Sequence, residues 1–395
     1  MSPRVEALLA DISHQGHAYL SQVSSAKRKL LDAAVSLIAE LETPVESITR
    51  IGWAEPALYV ALRVAIDLKL FEKLVEPDKS PKSIAELAKL TNSDPELLAR
   101  ILKHLGAMKI LTEPEPGVFG STKLSEALII PEYRDCICAP FDLTGQPLAK
   151  LPVYLAKTRY KNPTDPTDCP FQYALGTKQV LYDYVATHPE LSTSFSNFMA
   201  GYRRGRPNWM DADFYPVRDA LENIELHDDT PLLVDVGGGI GPDAIEFRSK
   251  HPSVPGRLIV QDLPGAIPPT LLQDRGIEFM SHDFFTPQPI KGARFYYLHC
   301  VLHDWSDQDC RRIIGELTKA MTKGHSKLLI HENVVPNQHA PWFMTGLDIC
   351  LMVLAAASER SESQWRGLVS SAGLRVVKIW SHPEGIESLI ETELL

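Results

Sequence analysis

Residues 232–241 read Leu232-Leu-Val-Asp-Val-Gly-Gly-Gly-Ile-Gly241, and this stretch decides the fold. Its apolar residues, interrupted only by Asp235, predict a buried parallel strand. The glycines that follow predict a tight turn into a helix, and they allow a ligand to approach the backbone where a side chain would collide. The dinucleotide pattern G-x-G-x-x-G needs a glycine at the next position, which is Pro242. The strand–turn–helix is therefore predicted without the pattern for a pyrophosphate.

An acidic residue ends the next apolar segment, Arg257-Leu-Ile-Val-Gln-Asp262. In nucleotide-binding sheets a carboxylate at this place binds the ribose hydroxyls. A nucleoside ligand without a pyrophosphate fits both observations best, and S-adenosylmethionine is the commonest ligand of that kind. The alternative is a glycine-rich turn with a structural role alone.

The bulk composition favours a cytosolic enzyme with two domains. The chain has 395 residues, of which 44% are hydrophobic and 23% charged, and its net charge is −10. An acidic chain is a poor partner for nucleic acid, and no apolar run reaches the length of a membrane span. The six cysteines are too sparse for a disulfide framework, and Cys136 and Cys138 lack a second ligand pair at zinc spacing. We therefore expect a cytoplasmic protein with no metal, nucleic-acid or membrane partner.

Residues 1–125 predict a mainly helical N-terminal domain. The predicted segments are helices 57–71, 83–90 and 94–105, followed by strands 108–112 and 118–122. Asp94 can cap the third helix, with Pro95 in its first turn. Helix–turn–helix followed by a hairpin is typical of a winged helix. A DNA-binding regulator is the alternative function for such a domain, but this chain offers no basic face to support it.

From about residue 230 the pattern changes to alternating strands and helices. Strands are predicted at 232–236, 258–261, 277–280, 294–298, 327–331 and 374–380. This alternation predicts an α/β fold with a doubly wound parallel sheet and helices on both faces. We place this core at residues 226–395, after a helical segment at 126–225. Ligands bind beyond the carboxyl ends of such strands, where the sequence has Asp235, Asp262, Asp283, His299–His303 and Glu332.

A second motif, His299-Cys-Val-Leu-His303-Asp-Trp-Ser-Asp307, follows one of these strands. Ser306 is expected to cap a helix, which leaves His303 at the ligand edge of the sheet. Glu332, at the end of the next strand, and Glu362, at the start of a later helix, could fix its tautomer and raise its pKa. Such a histidine suits removal of a proton from a weakly acidic hydroxyl. The alternatives are a histidine satisfied by local hydrogen bonds and a solvated glutamate.

Five motifs together resemble the class II, caffeate-type family of S-adenosylmethionine-dependent O-methyltransferases, especially its fungal secondary-metabolite branch. They are Val234-Asp-Val-Gly-Gly-Gly-x-Gly241, Gln261-Asp-Leu-Pro264, His303-Asp-Trp-Ser-Asp307, His331-Glu-Asn-Val-Val-Pro336 and Glu359-Arg-Ser-Glu362. The similarity extends from about Trp53 to Trp380. It implies a Rossmann-like methyltransferase fold with an N-terminal winged-helix domain that forms a homodimer and lends residues to the partner's active site.

The resemblance also implies roles for individual residues. His303 matches the general base, and Glu332 and Glu362 match the two acidic residues that flank it. The cofactor S-adenosylmethionine would contact Asp235, Gly237, Gly238, Gly239, Asp262, Leu263, Asp283, Phe284, His299 and Trp305, and His299 stands where the family often has Lys or Arg. The acceptor pocket would be lined by Phe171, Phe198, Met199, Trp342, Phe343, Asp348 and Met352.

The function that this resemblance implies is metal-free methylation of a hydroxyl, which we expect to be phenolic, on a polyketide- or alkaloid-like small molecule. One alternative lies within the same fold. Some relatives bind S-adenosylmethionine yet catalyse pericyclic or dehydration reactions, which need no general base. The presence of His303 with two candidate glutamates favours methyl transfer.

Overall fold

The computed structural model describes residues 2–264 and 276–395. Its residues form two compact units that do not follow one another along the chain. The helical unit consists of Met1–Gln146 with Leu181–Gly205, and the sheet unit consists of Pro147–Val180 with Arg206–Leu395. The sequence places a single boundary after residue 125, whereas the chain here passes between the units three times.

The helices are given in chain order. They are α1 (Pro3–Leu20), α2 (Ala26–Leu41), α3 (Pro44–Thr49), α4 (Glu55–Asp67), α5 (Leu70–Val75), α6 (Ile84–Thr91), α7 (Pro95–Ala107), α8 (Lys123–Ala127), α9 (Pro131–Lys157), α10 (Pro170–Leu175), α11 (Leu181–Ala186), α12 (Pro189–Arg203), α13 (Val217–Ala220), α14 (Pro242–Lys250), α15 (Asp307–Thr318), α16 (Trp342–Ala355) and α17 (Glu362–Ser371). None of the helices in the described ranges is long and apolar enough to cross a membrane.

The strands form three sheets. They are β1 (Lys82–Ser83), β2 (Thr112–Glu115), β3 (Val118–Gly120), β4 (Pro231–Val236), β5 (Arg257–Asp262), β6 (Ile277–Ser281), β7 (Phe295–His299), β8 (Lys327–Glu332), β9 (Val334–Val335), β10 (Arg360–Ser361), β11 (Leu374–Ser381) and β12 (Ser388–Leu394). The small antiparallel sheet of the helical unit has the order β1-β3-β2, and the main sheet has the order β11-β12-β8-β7-β4-β5-β6.

The helical unit confirms the winged-helix pattern. Asp94 caps α7 by accepting the backbone N–H groups of Glu96 and Leu97, as its place before Pro95 predicts. The hairpin differs from the prediction at its first strand, which begins at Thr112 rather than at 108. The residues before it do not pair in the sheet because the N–H groups of Ile110 and Leu111 donate to the carbonyl oxygen of Leu105 near the end of α7, at 2.9 and 3.3 Å.

The sheet unit confirms the doubly wound sheet. All its predicted strands are present, and β12, which lies antiparallel between β8 and β11, is an addition to them. The sheet separates two cores, so alternate residues of β8 face opposite sides: Ile330 packs with Trp365, and Leu329 packs with Trp209. Strand β4 has β5 on one side and β7 on the other. This reversal of strand order opens a crevice at the carboxyl ends of β4, β5 and β7, where ligands of such sheets bind.

Candidate active site

The glycine-rich turn after β4 is held by the end of β5. The backbone N–H groups of Gly237 and Gly238 donate to the carbonyl oxygen of Gln261 at 2.8 and 3.1 Å. The N–H of Gly239 donates to Oδ2 of Asp262 at 2.8 Å, and the N–H of Leu263 donates to its Oδ1 at 2.7 Å. Each carboxylate oxygen can accept more than one hydrogen bond. Asp262, which is half-buried, therefore still offers acceptors beside the turn.

Two of these glycines are required for different reasons. A Cβ on Gly238 would lie 2.5 Å from the carboxyl carbon of the buried Asp235, so a side chain there cannot fit without a shift. Gly239 has a φ of +57°, which favours glycine, and a Cβ there would meet no atom of the described residues within 4 Å. The turn therefore presents open space at Gly239, directly beside the carboxylate of Asp262.

An aromatic cluster borders the turn on its other side. A Cβ on Gly237 would lie 3.7 Å from Phe284. Phe284 packs edge-on against Trp305 with ring centroids 5.8 Å apart, and Phe285 packs against both. Asp283 is exposed, and its Oδ1 accepts the N–H of Phe285 at 2.9 Å. Phe284 and Trp305 thus form an apolar wall next to the glycine turn.

His303 lies in a 3₁₀ turn, Leu302–Asp304, that follows β7. Its Nδ1 donates to Oε1 of Glu359 at 3.1 Å and lies 3.5 Å from Oε2 of Glu332. Its other ring nitrogen, Nε2, is 3.7 Å from Asp304, which is too long for a hydrogen bond. The two nitrogens are therefore in different environments: carboxylates hold Nδ1, and Nε2 is on the opposite edge of the ring.

Glu332 determines the shape of this turn. Its Oε1 accepts the N–H groups of Val301 at 2.9 Å, Leu302 at 2.8 Å and His303 at 3.3 Å. The carboxylate is completely buried, and Cys300 just before the turn has a φ of +51°. Three backbone donors on one carboxylate oxygen hold a turn that the chain would not adopt by itself.

The second carboxylate beside His303 is Glu359, and the prediction of Glu362 is wrong. Glu362 is the first residue of α17, is more than half exposed, and forms a surface ion pair with Arg366 one turn later. Glu359 is buried, and its Oε1 also accepts from Nδ2 of Asn333 at 2.9 Å. The pairing of β10 with β9 places Glu359 next to the end of β8. Ser361 lies between the two glutamates as the helix cap, so the chain turns away from His303 at that residue.

Burial and charge act in opposite directions on His303. Burial opposes its protonation, but Glu332, Asp304 and Glu359 outweigh that effect and raise its pKa above the ordinary value. Burial raises the pKa of Glu332, and the positive charge of His303 lowers it by a smaller amount. The result is a buried imidazole that binds a proton more strongly than a free histidine does.

A second histidine cluster lies on the other face of the sheet. The Nδ1 of His299 donates to Asp243 at 2.9 Å, and its ring stacks on His331 with centroids 4.3 Å apart. The hydroxyl of Tyr297 lies 3.2 Å from Asp243 and 2.9 Å from Nδ1 of His331. The Nε2 of His299 is buried, and among the described residues it has no hydrogen-bond partner. This nitrogen is therefore an oriented polar group with capacity for a ligand.

Two groups of side chains bring metal-ligating atoms within 4.8 Å of one another: His299, His331 and Glu387, and Cys300, His303 and Glu332. In the first group the two imidazoles are stacked at an interplanar angle of 27°, so their lone pairs run side by side and do not converge on one ion. In the second group Glu332 already accepts three backbone N–H groups. Among the described residues, neither group has the geometry of a preformed metal centre.

The residues predicted for the acceptor pocket do not share one environment. Phe171 is completely buried, whereas Trp342 is 76% exposed and packs edge-on against Phe343. Oδ1 of Asp348 accepts the backbone N–H of Glu359 at 2.8 Å, so this carboxylate supports the residue beside His303. Met352 lies on the same helix, α16. The remaining two residues, Phe198 and Met199, belong to α12 of the helical unit.

Three residues of the site are given no role by the sequence: Asn333, Glu359 and Arg360. Asn333 directly follows Glu332, and the other two lie one and two positions before Ser361. One signal for Glu359 is available, because the spacing of Glu362 and Arg366 is that of a solvent-facing helical ion pair. That spacing argues against Glu362 and favours the other glutamate of the motif.

Comparison with known proteins agrees with this geometry. A model of the O-methyltransferase domain matches residues 154–375, and a model of the O-methyltransferase dimerisation domain matches residues 57–130. The chain is similar to O-methyltransferase mfmE of Annulohypoxylon moriforme, with 41% identity over 92% of this chain and 89% of the relative.

Two solved structures are similar along nearly the whole chain, each with a TM-score of 0.88 and 29% identity. One is described as a pericyclic reaction enzyme, and the match includes 99% of this chain and 100% of that protein's chain. The other is LepI in complex with S-adenosylmethionine, covered over 99% of both chains.

Proposed function

The chain belongs to the family of S-adenosylmethionine-dependent O-methyltransferases, and from that premise we propose that it methylates a phenolic hydroxyl of a small secondary metabolite with His303 as the general base. The observation that carries this proposal is the difference between the two ring nitrogens. Glu359 and Glu332 lie at Nδ1, while Nε2 makes no hydrogen bond with Asp304. A base needs one nitrogen held in a fixed tautomer and the other available to the substrate.

The residues at the glycine turn fit the cofactor. Asp262 offers carboxylate acceptors of the kind that bind ribose hydroxyls, and Gly239 leaves open space beside them. Phe284 and Trp305 provide an apolar surface for the adenine ring. When bound there, S-adenosylmethionine supplies a methyl group that is already activated by its sulfonium. Asp235, Gly237, Gly238, Leu263, Asp283 and His299 remain proposed cofactor residues.

The pKa of His303 favours a phenol as the acceptor. A phenol has a pKa of about 10, and a water-like hydroxyl has one of about 16. Proton transfer to a base is most efficient when the pKa of the base is close to that of the acid. Because Glu332, Asp304 and Glu359 raise the pKa of His303, its Nε2 can accept a phenolic proton as the oxygen attacks the methyl group. Glu359 and Glu332 then stabilise the imidazolium that forms.

The exposed surface of the helical unit supports a homodimer. Helices α1 and α2 pair with each other and leave a set of large apolar side chains exposed: Leu9, Tyr19, Leu20, Leu31, Val35, Ile38 and Leu41. Monomeric proteins rarely expose an apolar surface of this kind. The dimerisation model matches the residues that follow, 57–130. We therefore propose that a second copy of this chain covers α1 and α2.

A second candidate function is a reaction that uses the same cofactor without transferring its methyl group. The observation that favours it is the likeness to a pericyclic reaction enzyme. The two functions differ in one product, because only methyl transfer releases S-adenosylhomocysteine.

The test begins with calorimetry of S-adenosylmethionine and S-adenosylhomocysteine binding. It continues with an assay of S-adenosylhomocysteine release over a panel of phenols and matched aliphatic alcohols. Release that depends on a phenol and is lost in His303→Ala supports the proposal. Conversion of an acceptor without release would show the second function, and a His303→Ala variant that methylates at the wild-type rate would remove the assigned base.

A further inference from the structure

Arg360 is a buried arginine beside the site, and the mechanism above does not use it. It directly follows Glu359, is the first residue of β10, and is 2% exposed. Its Nη1 donates to the carbonyl oxygen of Leu302 at 2.9 Å, and its Nη2 donates to that of Trp305 at 2.8 Å. Its Nε donates to Oδ1 of Asp307 at 3.0 Å.

The two carbonyl groups that Arg360 binds flank the candidate base. Leu302 immediately precedes His303, and Trp305 is the aromatic residue that packs on Phe284. Glu332 accepts the N–H groups of the same turn from the other side. The backbone from 302 to 305 is therefore held by an anion at its N–H groups and by a cation at its carbonyl groups.

The position of Arg360 is unusual for a charged side chain. Burying a guanidinium is costly unless its donors are satisfied. Its carboxylate partner, Asp307, is more than half exposed, whereas its hydrogen bond to the carbonyl of Leu302 is buried and the one to Trp305 is partly buried. The guanidinium carbon also lies 5.1 Å from the ring centroid of the buried Trp365. Stacking on an aromatic ring fixes the plane of a guanidinium and so the direction of its N–H groups.

We propose that Arg360 is a positioning residue that holds His303 and Trp305 in one turn, so that proton removal and cofactor binding both depend on it. The inference rests on the proposed function, because it takes His303 as the base and Trp305 as part of the cofactor wall. A lysine cannot replace this arginine, since one ammonium group cannot reach two carbonyls and a carboxylate in a fixed plane.

The test compares Arg360→Met and Arg360→Lys with Arg366→Met. Arg366 is a matched control because it lies six residues later, on the exposed face of α17, and pairs only with Glu362 among the described residues. We expect both Arg360 variants to lower kcat by about 100-fold, the effect of a displacement of about 1 Å in an active site. We expect them to weaken S-adenosylhomocysteine binding about tenfold, and Arg366→Met to change either quantity less than twofold.

Chemical rescue separates positioning from folding. In Arg360→Ala, added guanidinium ion at millimolar concentration should restore part of kcat, whereas sodium ion at the same ionic strength should not. If Arg360 served the fold alone, its variants would melt at a lower temperature but keep kcat and S-adenosylhomocysteine affinity within twofold of wild type at 10 °C. That result would overturn the proposal.

Failure of the proposed function would look different. A wild-type protein that releases no S-adenosylhomocysteine with any acceptor would remove the methyltransferase mechanism. Weaker S-adenosylhomocysteine binding in Arg360→Met with wild-type affinity in Arg366→Met would still support the link between Arg360 and the cofactor wall. Unchanged binding in both variants would remove that link as well.

Discussion

Glu332 contacts His303 through both of its carboxylate oxygens: Oε1 accepts the backbone N–H of His303 at 3.3 Å, and Oε2 lies 3.5 Å from its Nδ1. One side chain therefore sets both the backbone position of the candidate base and the charge beside its ring. The two effects can be separated by substitution, because a glutamine keeps an oxygen that accepts N–H groups but removes the charge.

Glu332→Ala is expected to destabilise the protein far more than Glu332→Gln. The alanine leaves the N–H groups of Val301, Leu302 and His303 buried without an acceptor. An unsatisfied buried donor costs about 1–3 kcal/mol, so the free energy of unfolding should fall by at least about 3 kcal/mol. Glu332→Gln should lose less than half of that. Urea titration followed by circular dichroism measures both values, and equal losses would contradict the role of Glu332 in holding the turn.

The rate of methylation is expected to rise with pH well above neutrality. The base works in its deprotonated form, and neighbouring carboxylates raise the pKa of His303 above the ordinary value of about 6.5. Because the pKa of His303 is raised to about 10, the half-point of kcat/KM should lie well above pH 7. Glu359→Gln removes one of the charges that raise this pKa, so the half-point should move to lower pH and the maximum rate should fall.

Glu362→Gln is the control for that profile. Its carboxylate is exposed and pairs with Arg366, so its removal should leave the half-point and kcat within twofold of wild type. A pH profile that shifts in Glu362→Gln but not in Glu359→Gln would show that Glu362, and not Glu359, is the second carboxylate that acts on His303.

Two alanine substitutions in the glycine turn are expected to have different effects. Gly238→Ala forces a Cβ to within 2.5 Å of the carboxyl group of Asp235, so it should lower both stability and S-adenosylhomocysteine affinity. The Cβ of Gly239→Ala would lie more than 4 Å from every described atom, so this variant carries the strain of a left-handed residue, about 1–2 kcal/mol. Its main effect should be on the ligand, which would lose the open space at that position. Thermal melting and calorimetry on both variants distinguish the two cases.

A charged residue on α2 is expected to dissociate the proposed homodimer. Leu31, Val35 and Ile38 form an exposed apolar stripe at helical spacing, each more than half exposed. Val35→Glu should shift the molecular mass measured by light scattering from dimer to monomer. Lys29→Glu is the control, because Lys29 lies exposed on the same helix without being part of that stripe. A Val35→Glu protein that remains dimeric would place the interface elsewhere.

Local chemistry explains what the sequence predicts well. Asp94 and Ser306 are recognised as helix caps, and both accept the backbone N–H groups that caps accept, because a cap and its helix are neighbours in sequence. The same holds for the strand before Gly237, where an apolar run and a glycine turn lie side by side. These local features identify the fold and the glycine turn of the site.

The parts that the sequence misses depend on distant partners. Glu359 becomes a site residue through the pairing of β9 with β10 and through Asp348, and neither contact leaves a local pattern. Strand β12 contains Glu391, which no strand pattern anticipates at a buried position. Lys327, on the neighbouring strand β8, lies 3.3 Å from this carboxylate and neutralises it. In both cases the residue type is explained by a partner that only the folded chain supplies.

His299 is expected to bind the amino-acid part of the cofactor, and the choice of ligand can test this. Its Nε2 is buried and has no hydrogen-bond partner in the described part of the chain, while Asp243 holds its Nδ1 and His331 stacks on its ring. S-adenosylhomocysteine carries a carboxylate and an amine that this nitrogen could contact, whereas 5′-methylthioadenosine carries the same nucleoside without them. His299→Ala should therefore weaken S-adenosylhomocysteine binding about tenfold, the effect of losing one hydrogen bond to a charged group, and should leave 5′-methylthioadenosine binding unchanged. Equal losses for both ligands would show that His299 supports the fold of the sheet edge rather than the ligand, and no loss for either would remove it from the cofactor site.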